Sequence, residues 1–124
     1  DCRFAFGLSL SGRFLYTGDT KPIPEVLIRY ASSGEIIFHD CCLQNNPSHT
    51  YLNEITREYT QNQWQRMIFY HYGSEAEGKL IEKAGFNIAE EGKAYSLDFQ
   101  LILKTKDHVH DLNENLVNIN KKIS

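Results

Sequence analysis

The stretch RFLYTGDTKPIPEVLIRYASSGEIIFHD, residues 13–40, decides the fold class. RFLYTG is a short apolar run that stops at a Gly-Asp pair, the pattern of a strand closed by a turn. Pro22 and Pro24 then break the chain. In EVLIRYAS (25–32), Val26, Leu27 and Tyr30 recur at helical spacing, with Gly34 as the stop signal. EIIFHD (35–40) is a second β-rich run, bounded by Gly34 and the polar QNNPS. Strand, helix and strand in succession are the unit of a layered α/β structure.

Working outward, residues 3–10 alternate and pause at Ser11-Gly12, which predicts a hairpin with RFLYTG. Downstream, TYLNEITREY places Tyr51, Leu52, Ile55 and Tyr59 on one helical face, with Thr50 as N-cap and Asn53 where a capping box would carry Glu or Gln. RMIFYHYG reads as a strand ending at a glycine. Ser74 caps EAEGKLIEKAG, with Leu80, Ile81 and Ala84 inward and Gly85 as the stop. FNIAEEGKAYSLDFQLIL predicts short strands about a turn at Glu91-Gly92. The predicted order is β-β-α-β-α-β-α-β, with no internal repeat and no low-complexity segment.

The 124 residues suit one domain with a modest core, and 41% hydrophobic with 23% charged residues is an ordinary globular composition. A net charge of −3 gives no electrostatic reason to expect nucleic acid or an anionic membrane as partner. No window approaches the ~20 apolar residues of a membrane span, and no signal peptide pattern opens the chain. Cys2, Cys41 and Cys42 are an odd number with an adjacent pair, which fits reduced, buried thiols and a cytoplasmic setting better than a disulfide framework. Asp1 leads directly into the apolar RFAFGLSL, so the chain reads as beginning inside something larger.

The tail differs in character. Val109, Leu112, Leu116, Ile119 and Ile123 are spaced 3, 4, 3 and 4, an a/d seam. Asn113, Asn115, Asn118 and Asn120 lower its helix propensity, so the helix needs a partner. Residues 1–106 are therefore expected to form the domain. Residues 107–124 should form an amphipathic helix, packed on that domain or opening a coiled coil that pairs two copies as a homodimer.

Polar residues gather where the predicted strands end. Asp19 follows the second strand, His39 and Asp40 close EIIFHD, His71 follows RMIFY, and His49 sits in the loop before a helix. Sites in layered α/β folds collect at that edge. Each residue has an ordinary explanation as well: turn former for Asp19, core imidazole for His39, cap for Asp40, strand-end imidazole for His71. Their convergence on one rim favours a functional reading.

YTGDTKPIPEVL, IIFHDCCLQNNPSHTYLNEI and MIFYHYGSE, taken in order, resemble the second half of the metallo-β-lactamase fold over about residues 3–98. The resemblance implies half of an αββα sandwich. It is similar to the hydrolase branch that includes transfer-RNA maturation nucleases and cyclic-nucleotide phosphodiesterases. That branch implies Asp19 as a carboxylate bridging two metals, His71 as a metal ligand, and Asp40 orienting His49 as proton donor. The implied cofactors are two divalent transition metals (zinc, manganese or iron), none of which this segment need hold alone.

The first half of that fold supplies His-x-His-x-Asp-His, which is missing here. DHVHDLN (107–113) places Asp111 one position too early and Asn113 where the motif needs a histidine. The resemblance thus implies a missing N-terminal half, in the same chain or a second one, without which the chain is inactive. The expected function is part of a dinuclear-metal hydrolase acting on a phosphodiester or similar ester. The alternatives are a di-iron oxygen or redox sensor signalling through the C-terminal helix, and a metal-free structural or interaction module.

Overall fold

Strand, helix and strand do follow one another through residues 13–40. In the computed structural model, which describes residues 6–97, β1 (Leu8–Leu10) and β2 (Phe14–Tyr16) form the antiparallel hairpin. Helix α1 (Pro24–Tyr30) leads to β3 (Ile36–Asp40), which pairs parallel with β2. Helices α2 (Leu52–Glu58) and α3 (Gln61–Trp64) lead to β4 (Met67–Tyr70), and α4 (Glu75–Lys83) leads to β5 (Asn87–Ile88). The sheet runs β1-β2-β3-β4-β5, parallel from β2 onward. Strands β2, β3 and β4, which carry the polar residues, therefore end at the same rim, with Asp40 in register with Tyr70.

Period-two alternation sorts the strand residues between two faces. Leu15, Ile37, Met67 and Phe69 form a core with Leu27 of α1, Ile55 of α2 and Ile81 of α4, with Trp64 of α3 packed against it. Burying side chains of this size stabilises by about 1.5–3 kcal/mol each. On the opposite face Ile36 and Ile68 are covered by Phe38, Ala89 and Leu97, while Leu8, Leu10 and Tyr16 are exposed. The fold is mixed α/β, as expected. The described residues hold one five-stranded sheet with helices on one face, so they do not show the expected αββα sandwich, which needs a second sheet.

Local differences have local causes. Helix α2 caps one residue later than predicted: Tyr51 is the N-cap, and Glu54 Oε2 accepts from the Tyr51 N–H at 2.8 Å. Helix α3 is an element the hydrophobic pattern did not signal. It is nucleated by Thr60 and Gln63, whose side chains accept from each other's backbone N–H at 3.3 and 2.9 Å. Ser74 caps α4 and Gly85 (φ +98°) ends it, as predicted. Ile81 points inward, but Leu80 and Ala84 face solvent, because the face that meets the sheet runs through Gly78. A Cβ on Gly78 would lie 2.7 Å from the Tyr72 ring. Beyond the Gly92 turn, 93–97 is not strand; Tyr95 instead sets its ring edge-on to Phe38. Cys41 is buried, whereas Cys42 is only half-buried. Cys2 and the heptad segment 107–124 lie outside the described residues.

Candidate functional site

Gly18 has φ +70°, and a Cβ there would stand 2.3 Å from the Phe6 carbonyl oxygen. Both the left-handed backbone and the close approach therefore require glycine. The Gly18 carbonyl accepts from the hydroxyls of Tyr70 (2.6 Å) and Thr17 (2.8 Å). Two residues on, the Thr20 N–H donates to Oδ2 of Asp40 at 2.9 Å, and its carbonyl accepts from the Thr50 hydroxyl at 2.6 Å. Asp19 stands at the crest of this pinned loop with an exposed carboxylate.

Asp40, at the end of β3, has no exposed surface. Its Oδ2 also accepts from Nδ1 of His49 at 2.7 Å, and its Oδ1 from Nδ1 of His71 at 3.2 Å. His71 is the one non-glycine residue with positive φ (+70°) among the described residues. That conformation turns its side chain back over the rim, where Nδ1 also lies 3.5 Å from Oδ1 of Asp19. The His49 and His71 rings meet edge to face, 4.2 Å between centroids.

The structure thus brings together four of the five residues that the sequence placed at this rim. One ligand atom from each of Asp19, Asp40, His49 and His71 lies within 4.8 Å of the others. His39 does not join them. It faces the helices, fully buried, where loss of solvent pushes its pKa down to about 4. Alternation along β3 sends neighbouring His39 and Asp40 to opposite faces. Three supports were not read from the sequence: Asp40 serves His71 as well as His49, Tyr70 grips the Gly18 carbonyl, and Thr50 holds Thr20. Each joins segments distant in the chain, which periodicity does not register.

The donor set fits a divalent transition metal. Two carboxylates and two imidazoles are the ligand types zinc, manganese and iron take. Neither Nε2 of His49 nor of His71 hydrogen-bonds to another described residue, while both Nδ1 atoms face the Asp40 carboxylate. That arrangement, with a carboxylate orienting the imidazole, is usual behind metal-bound histidines. A groove of about 290 Å³, lined in part by Cys42, Asn46, His49, His71 and Glu77, opens beside the cluster. Burial pushes the Cys42 thiol up, which favours the protonated form.

Fold and site together define a mixed α/β protein with a carboxylate–imidazole cluster at the carboxyl rim of its parallel strands. The chain belongs to the family of the anti-Pycsar protein Apyc1, whose family model matches residues 2–95. It is 29% identical over 96 residues to the anti-Pycsar protein Apyc1 of Bacillus phage BSP38, and equally so to that of Bacillus phage 010DV004. Each match covers 76% of this chain and 37% of the relative. The chain therefore spans well under half the length of the curated relatives it matches.

This corrects the identification and the function expected from the motifs. The family shown is that of Apyc1, not the metallo-β-lactamase family. Its curated members are named for an anti-Pycsar role, not as dinuclear-metal hydrolases, di-iron oxygen sensors or metal-free modules. The physical reason is that Gly-Asp-Thr, His-Asp and His-Thr pairs position acids and imidazoles at a rim, and such a rim does not by itself specify a reaction. Among the described residues no helix is long and apolar enough to cross a membrane.

Proposed function

We propose that this chain contributes to an anti-Pycsar activity, the role in the name of its relatives, and that the Asp19–Asp40–His49–His71 cluster is its working centre. In this reading Asp19 and His71 ligate a divalent transition metal (zinc, manganese or iron), whose charge the two carboxylates stabilise. Asp40 holds His49 by Nδ1, which leaves Nε2 facing the rim to give or take a proton. Further ligands come from the part of the family's length that this chain does not span. The observation that supports this is the convergence of four ligand atoms within 4.8 Å, built from three separate segments.

Titration of the 124-residue chain with cobalt(II), followed by its visible absorption, tests the metal reading. Asp19→Ala and His71→Ala should each weaken binding at least tenfold and abolish suppression of Pycsar by a chain of the relatives' length. Unchanged cobalt affinity in both variants would sink it.

A further inference from the structure

A hydrogen-bond chain lies beneath the cluster, on the helix-covered side. The Ile23 N–H and the Tyr59 hydroxyl oxygen are 2.7 Å apart, Tyr59 Oη and His39 Nε2 are 2.7 Å apart, and His39 Nδ1 lies 2.7 Å from the Asp40 carbonyl. The direction of every bond follows from chemistry. A carbonyl only accepts, so Nδ1 of His39 carries the proton. The buried imidazole is neutral, so Nε2 accepts from the Tyr59 O–H, and the phenol oxygen accepts from Ile23. Both rings are buried, His39 at 0% and Tyr59 at 5% exposure.

The chain ties the residue before α1, the C-cap of α2 and the end of β3 to one another. It also explains the Pro22-Ile23-Pro24 triplet. Neither proline has an N–H, so Ile23 offers the one backbone donor of the three, and the flanking rings stiffen the backbone around it. The near end of the Asp19 loop is held through Gly18 and Thr20; the far end is held here.

We propose that Tyr59 and His39 are positioning residues for the cluster, clamping the far end of the Asp19 loop to the backbone of Asp40. This rests on the reading of the cluster as the working centre. Without the clamp, the Thr20 N–H loses its fixed approach to Asp40 Oδ2, the oxygen that also holds His49.

The test is nuclear magnetic resonance on the metal-free 124-residue chain, with cobalt titration alongside. Tyr59→Phe removes one hydroxyl and keeps the ring. The amide signals of Asp19 and Thr20 and the imidazole nitrogens of His49 should move, and cobalt affinity should fall about tenfold, as for outer partners of metal ligands. A Tyr59→Phe chain that melts earlier but leaves the Asp19, Thr20 and His49 signals in place would overturn the proposal. Should that variant not fold, His39→Gln and His39→Asn decide. Glutamine reaches Tyr59 but gives up the donor to the Asp40 carbonyl, and asparagine keeps that donor but falls short of Tyr59. Each therefore breaks one link of the clamp, and both should shift the Thr20 and His49 signals. Thr20 and His49 signals left in place in both variants would overturn the clamp. Wild type failing to bind cobalt removes the metal reading alone, because the resonance shifts still decide the positioning.

Discussion

Nδ1 of His49 lies 2.7 Å from Oδ2 of Asp40, a carboxylate with no exposed surface. The same carboxylate also holds His71 and the Thr20 N–H, so one buried group organises three segments. Removing one member of a buried pair of this kind costs about 3–5 kcal/mol. The two imidazoles keep some contact with water, so Asp40→Ala is expected at the low end, about 3 kcal/mol. Urea unfolding measures it, and a loss well below 1 kcal/mol would show that the rim is held by its other contacts.

Gly18 and Gly12 separate two causes of glycine dependence. Both have positive φ, but a Cβ on Gly12 meets nothing within 4 Å, whereas one on Gly18 meets the Phe6 carbonyl. Gly12→Ala should cost only the left-handed strain, about 1–2 kcal/mol. Gly18→Ala should cost distinctly more and displace Asp19. Equal midpoints in denaturant would mean that the Phe6 backbone yields freely.

The left-handed conformation of His71 is itself measurable. His71→Ala and His71→Gly both delete the imidazole, but only glycine relieves the backbone. The glycine variant should be the more stable of the two by about 1 kcal/mol. An alanine variant of equal or greater stability would place residue 71 in an ordinary conformation.

Burial pushes the His39 pKa down to about 4 from 6.5. In the unfolded chain the imidazole takes up its proton first, so acidification favours unfolding. The contribution is fully present above pH 6.5, declines as pH falls toward 4, and levels off below that. The total is about 3 kcal/mol, from 1.36 kcal/mol per pH unit. Comparing stability against pH in wild type and His39→Gln isolates it: the variant should lack this slope between pH 6.5 and 4. Parallel curves would mean that His39 is solvated in the folded chain.

How much was legible in the sequence can be judged element by element. The alternation from β2 through β4 was visible because strand and helix periods are local properties. So were the Ser74 cap and the stop at Gly85. The short α3 carried a readable Thr60–Gln63 pair but too few apolar residues for a periodicity. Hydrophobicity as the guide puts Leu80, Ile81 and Ala84 on the inward face of α4. Ile81 is there, but the sheet selects the side on which Gly78 leaves room for Tyr72 and turns Leu80 and Ala84 out.

The sequence by itself determined that Asp19, Asp40 and His71 stand near the carboxyl ends of strands and that His49 lies in the loop before a helix, because turn residues and the strand and helix periods place them there. Only the tertiary structure decided what they do to one another. Parallel pairing of β2, β3 and β4 sets three chain segments side by side, and desolvation at the buried end of β3 leaves Asp40 to be satisfied by whichever donors reach it. His49, His71 and Thr20 are those donors, drawn from loops whose spacing along the chain carries no trace of their distance in space.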